Sequence, residues 1–337
     1  MNSRPPIRIG TRGSALALWQ TEWVRERMRM AGHETERVEI TTTGDMVQDV
    51  ALSKIGTQAL FTRQIDEAML DGRIDLAVHS LKDLPTMLPE RIVLVAVAER
   101  DDPSDALVGR GELTWDTLPY RAIIGTSSLR RRAQLLHVRA DVQVVDLRGN
   151  VDTRLGKLDR NEEWSAVILA TAGLSRLGLA ARISQRLPPE VMLPAPGQGA
   201  LAVTAREHDS AAAAAARSAV HHAPTAMAVL AERAFLGTLE GGCQVPVGAL
   251  ATVSDGRVRL HGRVVALGGE RAVEGIEAGS GSDERSAERV GVALAERLLT
   301  KTCGNNRNFN FVFFKSAVGH RAKNNLGLRI NCFSNNF

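Results

Sequence analysis

Two short stretches of this chain read alike: IRIGTRGS at 7–14 and AIIGTSSL at 122–129. Each carries an apolar run into Ile-Gly-Thr, then a hydroxyl-bearing turn, then a segment with helical spacing. Strand, Ser/Thr-rich turn and helix N-terminus, used twice in that order, imply two similar sheets that present their turns to a common cleft. The surrounding pattern agrees. Strands are expected at 7–10, 37–42, 74–79, 92–98, 122–125, 143–147 and 166–170, with helices at 15–30, 58–70, 129–139 and 151–159. That alternation belongs to α/β folds with mainly parallel, mixed sheets. DDPSDA at 101–106 reads as a turn-rich crossing, and LPPEVMLPAPGQG at 187–199 as a hinge or return crossing. An alanine-rich helix is expected at 211–218. Beyond Pro224 the pattern changes to a helix, strands at 248–254 and 258–266, and a helix at 283–299, which suits a smaller α+β C-terminal domain. A length of 337 residues leads to an expectation of two or three domains.

The formal net charge of +4 is unevenly placed. From Lys301 to Phe337 there are three lysines, three arginines and no acid, which leaves residues 1–300 with 36 basic and 38 acidic groups. The basic excess belongs to the tail, so it gives no support to nucleic-acid binding. Nine of twelve asparagines and six of eight phenylalanines also lie beyond residue 300. The tail at 301–337 is therefore atypical, with the composition of a foreign, read-through or frame-altered terminus or of a disordered native tail, and is set aside from the fold. No apolar run approaches the ~18 residues of a membrane span, and MNSRPPIRIG lacks a signal-peptide core. A cytoplasmic protein is expected. Cys303 and Cys332 fall in the tail, leaving Cys243 alone in the body, with no disulfide framework and no CxxC knuckle. No HxxxH or HExxH spacing suggests a metal centre, and none is expected.

The body holds 33 arginines against three lysines. Arginine grips carboxylates in pairs through a planar fork, whereas lysine acts as a point charge. Base composition explains most of such a bias, so only particular positions carry weight. Thr11-Arg12-Gly13-Ser14 and Thr126-Ser127-Ser128 each precede a helix, whose free N–H groups attract anions. With Arg12 beside one turn and Arg130, Arg131 and Arg132 beside the other, anion binding outweighs simple capping. Arg148 at a strand end and Arg154 in the next helix point towards the same presumed cleft; surface ion pairs with Asp152 or Asp159 are the structural alternative. Lys82 and Asp83 occupy the loop after an apolar strand, where functional groups gather. Asp83 beside a lysine stays ionised and can stabilise a cation or shuttle protons, although a capping aspartate is the commoner role. His79 reads as structural. Cys243 follows two glycines in LEGGCQVPVGA; a loop thiol is a nucleophile only if its thiolate is stabilised, and from the residues alone an inert buried cysteine is favoured.

Nine segments in register, IGTRGSALALWQ, TTTGD, DLAVHSLKDLP, ERDDPSDAL, IGTSSLRRRAQL, LRGNVDTRLGKLD, ILATAGLSRLGL, LPAPGQGALA and LEGGCQVPVGA, together resemble the porphobilinogen deaminase (hydroxymethylbilane synthase) family over about residues 7–299. The resemblance implies three domains: a discontinuous first lobe (5–99 and 199–219), a second lobe (104–195), both periplasmic-binding-protein-like, and a cofactor-attachment domain (222–300). It implies a transferase of tetrapyrrole biosynthesis that condenses four porphobilinogen molecules head to tail, each losing ammonia through an azafulvene, with a final hydrolysis to hydroxymethylbilane. It implies a dipyrromethane cofactor held by a thioether to Cys243, a catalytic Asp83 and a monomeric enzyme. Arg12, Ser14, Lys82, Thr126, Ser127, Ser128, Arg130, Arg131, Arg148 and Arg154 match positions that hold acetate and propionate side chains. Asp45, Arg176 and Gln198 match further cleft positions. Two departures stand out: Gln58 in GTQALF replaces a lysine common in the family, and LLTKTCGNNRNFNF replaces the usual terminus. A two-lobed anion-binding module without catalysis is the rival reading; it explains lobes and arginines and gives Cys243 no task.

Overall fold

The computed structural model describes residues 5–42, 62–239 and 246–305. The first sheet contains β1 (Ile7–Thr11), β2 (Thr35–Glu39), β3 (Leu76–Ser80), β4 (Ile92–Val97) and β10 (Leu201–Arg206), in the order β2-β1-β3-β10-β4. The second contains β5 (Asp105–Gly109), β6 (Ile123–Gly125), β7 (Gln143–Val145), β8 (Ala166–Ala170) and β9 (Gln185–Arg186), in the order β7-β6-β8-β5-β9. In each sheet the first three strands run parallel, and the fourth is antiparallel to both its neighbours. Both sheets are therefore mixed, with a parallel half and an antiparallel half. The repeated motif has an architectural meaning: β1 and β6 occupy the same place in their sheets.

Period-two alternation assigns each strand's two faces to different cores. Along β8, Ala166 and Ile168 join one cluster with Leu107, Ile124 and Leu135, whereas Val167 and Leu169 join another with Leu147, Leu155 and Leu174. Helices α3 (Leu129–Val138), α4 (Val151–Arg160) and α5 (Thr171–Arg176) supply Leu135, Leu155 and Leu174. In the first sheet, Ile9, Leu76, Val78 and Val203 pack on α1 (Ala15–Met30) and α6 (Ser210–Val220), while Ala77 faces Ile65 and Met69 of α2 (Arg63–Leu70).

The remaining unit is an antiparallel sheet, β11 (Val247–Ser254), β12 (Arg257–Val265) and β13 (Ala272–Ser280), packed with α7 (Ala223–Thr238) and α8 (Glu284–Asn305). Phe235 and Leu294 are fully buried in its core. The two helices cross closely, since a Cβ on Gly291 of α8 would collide with the Ala231 carbonyl of α7.

Several elements depart from the sequence expectation. β2 begins at Thr35 and ends at Glu39, and the described part of the expected 58–70 helix begins at Arg63. Four strands, β5, β9, β10 and β13, fall outside the expected elements. Asp105 opens β5 from inside a segment that reads as turn, and β9 has only two residues. Where the chain passes between the sheets, its two crossings pair with one another. Asp101 N donates to Gly199 O at 3.2 Å, and Ala98 N to Leu201 O at 3.0 Å. Gly199 sits at φ +90°, and a side chain there would press on the Asp101 carbonyl.

Candidate active site

The chain leaves β3 in a single 3-10 turn, Leu81–Asp83. Leu81 and Leu84 are buried on one side of it, which turns the half-buried Lys82 and the exposed Asp83 the other way. The turn is fixed by Leu81 N donating to Ala200 O at 3.0 Å and Leu84 N to Leu81 O at 3.1 Å. Ser80 accepts a bond of 2.8 Å from Gln20 Nε2 of α1. The Lys82 ammonium donates to Gln198 Oε1 at 3.2 Å. Burial pushes Lys82 down to about 8, with Arg131 acting in the same direction and Asp83 and Asp105 against it.

Arg130 and Arg131 both close on Asp105, a fully buried carboxylate that the sequence reading passed over as a turn residue. Arg130 Nη1 reaches Asp105 Oδ2 at 2.7 Å, and Arg131 Nε and Nη2 reach Oδ1 at 2.9 and 2.7 Å. Further donation goes from Arg130 to Leu193 O and from Arg131 to Ile168 O. The paired guanidinium groups hold the Asp105 carboxyl well below the usual range against the opposing effect of its burial. Gln198 Nε2 completes the node, donating to Asp105 Oδ1 at 3.0 Å and to Pro103 O at 2.8 Å. One buried negative charge thus answers two positive ones, and the surplus lies on the Lys82 side.

Arg148 and Arg154 extend that surplus. The Arg154 guanidinium is pushed down to about 10, chiefly by burial and then by Arg131, with Arg148 adding to the effect and Asp83 opposing it. Its Nε donates to Gly149 O at 2.7 Å. Arg148 Nη1 is buried and has no hydrogen-bond partner among the described residues. A buried guanidinium nitrogen without an acceptor is costly, and a carboxylate is the acceptor it fits best.

The turn after β6 has a double use. Thr126 Oγ1 accepts from Ser128 N at 3.2 Å, Ser127 Oγ from Leu147 N at 2.9 Å, and Ser128 Oγ caps α3 by accepting from Arg131 N at 3.4 Å. The capping role is real, yet it spends acceptors only; each hydroxyl proton stays available to donate. Ser14 caps α1 in the same way, accepting from Ala17 N at 3.3 Å. Arg12 follows β1, close enough to the buried His79 to reinforce the depression that burial causes, to about 4. His79 bonds Thr204 Oγ1 at 3.2 Å, which fits its structural reading.

Arg176 lies elsewhere, at the paired crossings. It donates to Gly199 O at 2.6 Å, stands 3.4 Å from Asp101 Oδ2, and covers the Trp19 ring at 5.7 Å. Asp45, Gln58 and Cys243 lie outside the described residues, as does the tail from residue 306. Lys82, Asp83, Arg130, Arg131, Arg148, Arg154 and Gln198 are therefore the predicted residues that share one charged environment. Sequence reasoning missed Asp105, Arg100 and Glu232. The last is a buried carboxylate of α7 that binds Arg100 at 2.5 and 3.2 Å, Gly197 N at 2.7 Å and Ala251 N at 2.7 Å. Only its place on a helix otherwise apolar at that spacing hinted at a buried partner.

Two sheets of one topology, with cations gathered beyond the carboxyl ends of their parallel strands and a third unit docked on the crossings, define an α/β protein of two like sheets with a smaller C-terminal domain. Residues 7–214 match the family model "Porphobilinogen deaminase, dipyromethane cofactor binding domain", and residues 226–300 match "Porphobilinogen deaminase, C-terminal domain". The chain belongs to the porphobilinogen deaminase family of transferases. It is 49% identical over 303 residues to the porphobilinogen deaminase of Desulforudis audaxviator, covering 89% of this chain and 96% of that one. It is 47% identical over 300 residues to that of Moorella thermoacetica, covering 88% and 94%. Among solved structures, the methionine-binding protein MetQ is 15% identical, with a TM-score of 0.40 over 63% of this chain and 89% of that one. A periplasmic substrate-binding protein of an ABC transporter from Coxiella burnetii is 16% identical, with a TM-score of 0.41 over 67% and 96%. No helix among the described residues is long and apolar enough to cross a membrane.

Proposed function

We propose that this chain is a hydroxymethylbilane synthase, acting as a cytoplasmic monomer that joins four porphobilinogen molecules head to tail, releasing four ammonia and, after hydrolysis, hydroxymethylbilane. The reading gives β1–β4 with β10 (5–99 and 199–219) the role of one lobe, 104–195 that of the other, and 222–300 that of the domain bearing Cys243. The single observation that carries it is the buried Arg148 Nη1, which has no acceptor among the described residues and belongs with Arg131 and the exposed Asp83 to the charged surroundings of Arg154.

A dipyrromethane fits this donor set, since each pyrrole brings two carboxylates that need cationic partners. Bound through a thioether to Cys243, it would supply the nucleophilic pyrrole α-carbon to which incoming units add. Arg148, Arg154, Arg131 and Lys82 neutralise acetate and propionate groups. The hydroxyls of Thr126, Ser127 and Ser128, with Arg12 and Ser14 from the facing lobe, donate to the same oxygens. Asp83 accepts from pyrrole N–H groups and offsets positive charge that develops on the ring, in a site whose dipoles are already oriented. Asp45, Arg176 and Gln198 shape the cleft, Arg176 and Gln198 through the crossings.

The intact mass of the purified protein tests the reading. A mass above that of the sequence by one covalent dipyrromethane is expected, with the addition mapping to Cys243. An unmodified protein that also stays inactive after incubation with porphobilinogen would favour an anion-binding module without catalysis.

A further inference from the structure

Helix α7 turns three faces to three different parts of the molecule. Ala231 and Phe235 face the core of their own domain. Thr225 and Glu232, two turns apart, take the outgoing crossing: Arg100 N donates to Thr225 Oγ1 at 3.1 Å and the Arg100 guanidinium to Glu232. Ala226, Val229, Arg233 and Gly237 form a third stripe at helical spacing, and this one lies against residues 81–88.

The third contact is apolar at one end and polar at the other. Val229 shares a buried cluster with Leu81 and Leu84, the residues that bracket Lys82 and Asp83, and Ala226 and Leu88 pack against it. One turn further on, Arg233 Nη2 donates to Pro85 O at 2.6 Å and Thr86 O at 3.0 Å, with Nη1 3.5 Å from Leu84 O. A Cβ added to Gly237 would lie 3.9 Å from Thr86 Cβ. Three successive carbonyls of a tight loop need donors, and a guanidinium can offer several in fixed geometry where an ammonium offers one mobile point. The same helix runs in sequence directly into the segment that contains Cys243.

We infer that Arg233 is a positioning residue: it ties the loop carrying Asp83 to the helix that leads into Cys243, so the ring-stabilising carboxylate and the anchored chain keep a common frame. The inference rests on the roles of Asp83 and Cys243 proposed above.

Arg233→Met and Arg233→Lys, each purified with its cofactor and checked by intact mass, supply the test. Arg233→Met is expected to keep the fold and the added mass but to lose about 10- to 100-fold in kcat, as a misplacement near 1 Å does, while KM for porphobilinogen changes less than about threefold. Amide exchange over 82–88 should quicken, and Arg233→Lys should recover part of kcat. Combined with Asp83→Ala, Arg233→Met should cost nothing more, because a residue acting only through Asp83 then has nothing left to position. Wild-type kcat and exchange in Arg233→Met, or a full additional loss on the Asp83→Ala background, would overturn the inference and leave the Asp83 role standing. Full turnover by Asp83→Ala would instead remove the role beneath it. If Arg233→Met does not fold, Arg233→Lys decides alone: kcat and loop exchange both at wild-type level count against Arg233.

Discussion

Asp105 shows how much one buried carboxylate decides in this molecule. It holds Arg130 and Arg131 in place and binds Gln198, which in turn receives Lys82. Removing one partner of a buried ion pair leaves uncompensated charge, so Asp105→Ala should lose about 3–5 kcal/mol of stability, read from urea unfolding. The sign with pH follows from its depressed carboxyl. Its contribution is fully present above the ordinary aspartate range and is lost as pH falls through the lower folded-state value; Asp105→Asn should flatten that acid limb. Lys82 works in the opposite range. Its ammonium titrates at about 8 in the free site, so affinity for a pyrrole dicarboxylate should weaken as pH rises through that value. Calorimetric titration across pH 7–9.5 (about that span, set by the reference range of lysine) should show the inflection in the wild type and lose it in Lys82→Met.

Among elements, those with strong periodicity were readable and those made by long-range pairing were not. Helix α1 spans the expected residues because Ser14 caps its start and its buried positions, Ala17, Gln20, Thr21, Val24 and Met28, keep helical spacing. β5 and β10 depend on being slotted beside strands far away in sequence, so local pattern had little to say about them. The same divide holds for the site. The placement of Lys82, Asp83, Arg148 and Arg154 was legible because it follows from strand ends and the helices after them, whereas Asp105 and Glu232 sit where their partners come from other parts of the chain. Helix α7 is the element on which the partners of Glu232 converge. Truncating its buried Phe235 to alanine should cost about 3–5 kcal/mol, measured by thermal or denaturant unfolding, because the ring lies against the Gly262 backbone, which β12 holds in the sheet and which cannot move in to fill the cavity.

At the scale of the whole molecule, the surplus of cations in the cleft sets how a polyanion arrives. KM for porphobilinogen should rise several-fold between low salt and ~1 M salt, where screening shortens to about 3 Å; a flat salt profile would argue against charge capture. The order of strands has a further consequence, which concerns how the protein is made. Every strand of the second sheet lies between Asp105 and Arg186, but β3 and β4 of the first sheet are joined only through β10, which begins at Leu201. A nascent chain leaving the ribosome can therefore close its second sheet while the first still waits with two open edges. The part synthesised earlier is finished later, and until Arg206 emerges those edges are the stretch most in need of a chaperone's cover.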